Sequence, residues 1–265
     1  MTEAEWLAGT ETHPMVEVVR NSASERKLRL FAAACARRVW HLLVHEACRK
    51  AVEVGERFAD GLAGYQERRT AWRNANKIFG VYLDLAEGKH GERLASYRSE
   101  LAASGIPLET AINTADAVTA TVSPGGKRNG VKKGRYYPGA YGTAAWALAG
   151  PNFGTDDGDA KAIEAAEKAT QCSLLRDIIG NPFRPPPSLP PPVLAWSDRT
   201  VPRIAQGIYD ERRLPEGTLD AARLAVLADA LLDAGCDDED LIAHCRHPGP
   251  HVRGCWALDL ILGKE

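Results

Sequence analysis

No stretch of eighteen consecutive apolar residues occurs in this sequence, so nothing in it reads as a bilayer-spanning helix. The opening residues, Met1-Thr2-Glu3-Ala4-Glu5-Trp6, are acidic and lack the apolar core of a secretory signal, which makes the cytoplasm the expected location. An excess of one charge is also missing. Lys and Arg number 33 against 35 Asp and Glu, a formal net charge of -2, so no global field draws the chain to nucleic acid or to a membrane. Absent too are a Gly-x-Ser-x-Gly elbow, a His-Glu-x-x-His helix and a dinucleotide fingerprint. Gly125 and Gly130 have the spacing of a phosphate loop, but Val131 stands where the lysine is required and no strand precedes it. None of the six cysteines forms a Cys-x-x-Cys pair; in a reducing compartment they are expected to be thiols or metal ligands rather than bridges.

What is present is helical. The chain has 265 residues, 45% of them apolar, enough for one large domain or two modest ones with a real core. Alanine and leucine recur at helical spacing, and no convincing period-two alternation competes with them. Ser22 with Glu25 reads as a capping box. After it Leu28, Leu30, Phe31, Ala34, Cys35, Val39, Leu42 and Leu43 fall on one face, which makes Cys35 a core thiol. Further helices are expected over 45–60, 65–87, 92–101, 108–120 and 160–179, the last stopped by Gly180. The run 123–142, "SPGGKRNGVKKGRYYPGAYG", holds six glycines and two prolines and reads as a long exposed basic loop. The run 181–193, "NPFRPPPSLPPPV", holds seven prolines and reads as an extended linker or brace, anchored by Phe183 and Leu189; an SH3-type ligand is the lesser reading. Beyond it helices are expected over 201–211, 219–234 and 251–262, with a short one after the acidic run 237–240.

Residues 244–256, "HCRHPGPHVRGCW", concentrate three histidines, two cysteines and a tryptophan. A last helix starting at His251 sets His251 and Cys255 at i and i+4, on one face. With Cys236 and Cys245 they compose a Cys3His zinc set. The preferred reading is a packed core without a cofactor: Cys255 inward, Trp256 buried between the 219–234 helix and the last helix, and His247 exposed. Zinc is the alternative.

Two further sites are weighed. Lys127, Arg128, Lys132, Lys133 and Arg135 precede Tyr136 and Tyr137, and cations beside stacking rings are what a nucleic-acid contact uses. A solvated loop is the plainer reading. Arg38 and His45 have the Arg-x6-His spacing of the HEPN ribonucleases, which they resemble in that spacing alone; Val39 stands where that family prefers a polar residue. The acidic groups Asp156, Asp157, Asp159 and Asp237 to Asp240 read as turn and helix-start chemistry before they read as a hard-cation site.

Five stretches together carry a resemblance: "RKLRLFAAACARRVWHLL" (26–43), "AVEVGERFADG" (51–61), "SLLRDIIGNPFRP" (173–185), "LADALLDAGC" (227–236) and "HCRHPGPHVRGCWALDLILGK" (244–264). They resemble a paralogous family of bacterial proteins that is numerous in planctomycetes. The resemblance covers both ends, about half the chain, and is most specific at the C-terminal stretch. In that family cysteines commonly stand where this chain has Ala32, Ala34 and Ala36, a departure that weakens a metal role for Cys35. The segment "RLAVLADALLDAGCDDEDLIAHCR" also resembles the planctomycete repeat-companion domain, a short helical module. Neither resemblance brings an activity with it.

The sequence is therefore read as all-α: an N-terminal helical region over 1–180 carrying the basic loop, the proline-rich brace at 181–193, and a small helical subdomain over 194–265. With no complete catalytic constellation, the expected function is a non-enzymatic interaction or scaffold module for a protein partner. The alternatives are nucleic-acid binding or ribonuclease action through the basic loop and Arg38/His45, and a zinc-stabilised C-terminal module.

Overall fold

Ser24 opens the first long helix, accepting the Lys27 N–H at 3.2 Å; the cap falls two residues after the expected Ser22. In the computed structural model, which describes residues 1–123, 127–128, 131–132, 142, 148, 158–185 and 187–264, nearly every element is an α-helix. The helices are α1 (Glu3–Ala8), α2 (Thr12–Val19), α3 (Glu25–Arg38), α4 (Glu46–Ala59), α5 (Tyr65–Ala86), α6 (Glu92–Ser104) and α7 (Leu108–Val122), then α8 (Gly158–Ile179), α9 (Pro191–Asp210), α10 (Ala221–Asp233), α11 (Glu239–Arg246) and α12 (Trp256–Leu262). Among the described residues the only strands are β1 (Lys127–Arg128) and β2 (Val131–Lys132), a two-residue antiparallel ribbon within the expected basic loop. The chain is all-α, and no described helix is long and apolar enough to cross a membrane.

The helices form two compact units. Thr10–Gln171 make a central unit; Met1–Gly9 and Cys172–Glu265 make a terminal unit. The division falls inside α8, so the proline-rich run lies within the terminal unit rather than between units.

In the central unit α3, α4, α5 and α7 pack on one another. Their shared core includes Ala33, Ala36, Ala51, Ala75, Ala111 and Ala115, small residues that let helix axes approach closely. Gly55 marks the tightest crossing: a Cβ there would stand 2.9 Å from the Thr121 carbonyl oxygen of α7. Three buried arginines supplement the apolar packing. Arg37 grips Glu56 through Nε at 2.6 Å and Nη2 at 2.8 Å. Arg29 donates to the Thr121 carbonyl and Arg68 to the Ser123 carbonyl, each at 2.6 Å, and both lie over the Phe58 ring. They satisfy carbonyls that a helix C-terminus leaves without partners and oppose its negative dipole end.

In the terminal unit, α9 to α12 surround a core of Val201, Ala205, Ile208, Leu224, Leu227, Leu231, Leu241 and Leu258. Asp220 and Asp238 N-cap α10 and α11. Helix α1 belongs here as well. Trp6 is fully buried and donates to the Gly180 carbonyl at 3.1 Å, while Arg176 donates to the carbonyls of Trp6 and Gly9. The proline run differs from expectation. It opens with a turn, the Arg184 N–H donating to the Asn181 carbonyl at 3.4 Å; Pro190 is extended, and Pro191 and Pro192 form the first turn of α9, where a missing N–H costs nothing. Phe183 is 40% exposed and anchors nothing, whereas Leu189 packs on the core. The start of the run is held by charge: Arg184 pairs with Glu3 at 2.6 Å and Asp240 at 3.1 Å.

Candidate metal centre

Asp177 lies on the inward face of α8, where Leu174, Leu175 and Ile178 are buried around it. An isolated carboxylate among such residues is costly to bury unless it is hydrogen-bonded or bound to a cation. Here it accepts from the Val252 N–H at 2.9 Å through Oδ2, while Oδ1 lies 2.8 Å from His251 Nδ1 and 3.2 Å from His244 Nε2. His244 occupies the last turn of α11. His251 sits in the turn that follows, its backbone carbonyl fixed by the Leu219 N–H at 2.8 Å. Cys255 is the N-cap residue of α12, with Sγ 3.2 Å from His244 Nε2. One ligand atom from each of Asp177, His244, His251 and Cys255 falls within 4.8 Å of all the others.

The electrostatics follow from burial and contact. Burial alone would raise the Asp177 carboxyl, but hydrogen bonds from His244 and His251 hold it below the ordinary value. For His251, burial opposes the cation, yet the Asp177 carboxylate and the His247 carbonyl, 2.8 Å from Nε2, hold it above its ordinary value. Burial first, then the Asp177 charge, pushes the Cys255 thiol well up.

A thiol, an imidazole and a carboxylate in contact are also the ingredients of a cysteine nucleophile. The geometry opposes that use. Cys255 is fully buried. The Trp256 indole N–H, which can only donate, points at His244 Nδ1 at 3.1 Å. The neutral ring then carries its proton on Nε2, the nitrogen facing the thiol, and has no lone pair there to act as base.

Of the four metal candidates read from sequence, the structure gathers His251 and Cys255. It replaces Cys236 and Cys245, which lie in the apolar core, by His244 and Asp177. Burial, then the charges of Asp177 and Cys236, pushes the Cys245 thiol up to about 12, as suits a core thiol. His251 and Cys255 do not share a helix: α12 starts only at Trp256, and the turn at Arg253-Gly254 brings them together. Cys255 is inward and His247 exposed, as expected. Trp256 differs: it is half-buried, beside the His244 ring with centroids 4.9 Å apart and close over Gly180. Gly180 has φ +77°, and a Cβ there would meet Trp256 Cγ at 3.2 Å, so the glycine serves both the helix end and the tryptophan. Asp177 was missed. Its signal was an acid on the apolar stripe Leu174, Leu175, Ile178.

The other candidates do not converge. Arg38 ends α3 and its Nε is bound to Glu167 at 2.6 Å. His45 caps α4, its Nδ1 accepting the Ala47 N–H at 3.0 Å, and the shallow depression it lines with Lys50 and Asn74 does not include Arg38. Lys127, Arg128 and Lys132 fall in the two-residue ribbon; Lys133, Arg135, Tyr136 and Tyr137 lie outside the described residues, as do Asp156 and Asp157. Asp159 stands in the first turn of α8, and Asp238 spends its carboxylate on the α11 cap. Comparison with known proteins brings no match: no family model, no curated protein and no solved structure matches the chain.

Proposed function

We propose that the terminal unit is a zinc-stabilised helical module and that the chain works through binding rather than catalysis. The observation that carries this reading is the meeting of four ligand atoms, one each from Asp177, His244, His251 and Cys255, within 4.8 Å of one another in a buried place. Zinc bonds of about 2.0–2.3 Å put tetrahedral ligand atoms roughly 3.3–3.8 Å apart, so small shifts suffice to seat the ion. A thiolate with two imidazoles favours zinc over magnesium or calcium, which take oxygen ligands. Four protein ligands leave no position for substrate, the pattern of a structural site. The ion would tie the end of α8, the end of α11, the 251 turn and the start of α12. Elemental analysis of protein purified without chelator is expected to give close to one zinc per chain, lost in the Cys255→Ser, His251→Ala double variant. Wild-type protein that stays metal-free after dialysis against zinc would sink the proposal.

A second reading, binding to a nucleic-acid phosphate backbone, has its support in the central unit. That unit carries 23 Lys and Arg against 19 Asp and Glu. Arg69, Arg73 and Lys77 line the outer face of α5 one turn apart, exposed and paired with no described carboxylate. Their rise of about 6 Å per step suits successive phosphates. Fluorescence anisotropy with a labelled single-stranded RNA should show binding that weakens steeply with salt and is lost in the triple alanine variant. Equal binding by the variant would exclude this face.

A further inference from the structure

We infer that Trp256 latches the candidate centre in a metal-free, hydrogen-bonded form, and that zinc enters only when the Trp256–His244 hydrogen bond breaks. This rests on the reading that the cluster takes zinc. It follows from where the protons must sit.

His251 needs only to release one proton to ligate. Its Nε2 faces the His247 carbonyl at 2.8 Å, so a proton there is held by an acceptor, while Nδ1, which donates to Asp177 Oδ1 at 2.8 Å in the metal-free form, gives its proton to solvent when a metal takes the lone pair. A carbonyl behind a ligating imidazole is the usual way of fixing its tautomer. His244 is set the opposite way. The nitrogen it offers is Nε2, 3.2 Å from both Asp177 Oδ1 and Cys255 Sγ. Its other nitrogen, Nδ1, lies 3.1 Å from the Trp256 indole nitrogen, a group with one hydrogen and no acceptor capacity. A neutral His244 ring that accepts from Trp256 must hold its proton on Nε2, where it donates to Asp177. For Nε2 to ligate, that proton must move to Nδ1, and there it meets the indole N–H head-on. Two donors cannot share a 3.1 Å contact, so the indole has to turn away.

The surroundings permit the turn. Trp256 is only half-buried, and on its inner side it rests on Gly180, which has no side chain to block it. Trp256 is therefore a positioning residue that acts through His244, and its hydrogen bond opposes the metal. Removing the N–H while keeping an aromatic ring should strengthen zinc binding, whereas loss of a merely structural tryptophan would weaken it.

The test compares the wild-type full chain with Trp256→Phe by competition against a chromophoric zinc chelator. A neutral hydrogen bond contributes on the order of a two- to tenfold factor, so the variant is expected to bind zinc about two- to tenfold more tightly. Long-range nitrogen–proton NMR of the histidine rings is expected to place the His244 proton on Nε2 without zinc and on Nδ1 with it. Equal or weaker binding by the variant overturns the latch, as does an Nδ1 proton in the zinc-free wild type, a measurement that needs no variant. Failure of both proteins to take up zinc overturns the metal reading itself, and the latch with it.

Discussion

Chelation of zinc from the full chain is expected to lower the melting temperature of the terminal unit by roughly 15–30 °C while leaving the central unit where it was. Zinc at a thousand times its dissociation constant contributes about 4 kcal/mol to whatever it binds in the folded state alone. In a unit of roughly a hundred residues, each kcal/mol moves the midpoint by about 4–8 °C. The unit does not collapse outright, because its polar groups keep partners without the ion: Asp177 still accepts from Val252, His251 and His244. Hydrogen exchange followed with and without chelator separates the units. Protection should fall in α11, in α12 and around His251, and persist in α3 to α7. Unchanged exchange in α11 and α12 would count against zinc as a staple.

Glu56→Ala is expected to destabilise the central unit by about 3–5 kcal/mol, the usual result of removing one partner from a buried ion pair. Both side chains are 3% exposed, and Arg37 makes two bonds to the carboxylate. Without it the guanidinium keeps its place over the Trp40 ring, 4.8 Å from the centroid, which does not replace a lost counter-charge. Glu56→Gln keeps the shape and tests the charge alone. Urea unfolding read by circular dichroism checks both variants; a loss below about 1 kcal/mol for the alanine variant would mean that water reaches Arg37 in the folded state.

The helices were legible because their signals are local. Gly180 and Gly235 stand at helix ends with φ of +77° and +82°, and the spacing of Leu224, Leu227, Ala228 and Leu231 announces the buried face of α10. Helices α1 and α2 were not legible: Glu3–Ala8 has one buried residue, Trp6, and no periodic stripe to find. The start of α9 was hidden by prolines, which read as breakers but suit a first turn. Of the site, the sequence exposed the part that is close in sequence. His244, His251 and Cys255 cluster in the chain, but spacing alone could not choose among the neighbouring thiols. Cys245 and Cys236 face the apolar core because of where α10 and α11 pack, and no local pattern records that. Asp177 lies 74 positions before His251, and nothing local links them.

The terminal unit draws on both sides of the central one in chain order, and this bears on its birth at the ribosome. Trp6 is made about 170 positions before its cover and its hydrogen-bond acceptor, Arg176 and Gly180. At about 5–20 residues per second, that tryptophan waits roughly 10–35 s for its partners. During this interval the whole of Thr10–Gln171 is synthesised, and all of its internal partners are in hand before α1 has any of its own. Vectorial synthesis thus sets an order in which the central unit completes first. Helix α1 has to wait for the end of α8, so Trp6 gains its burial site only after the chain of the central unit is complete.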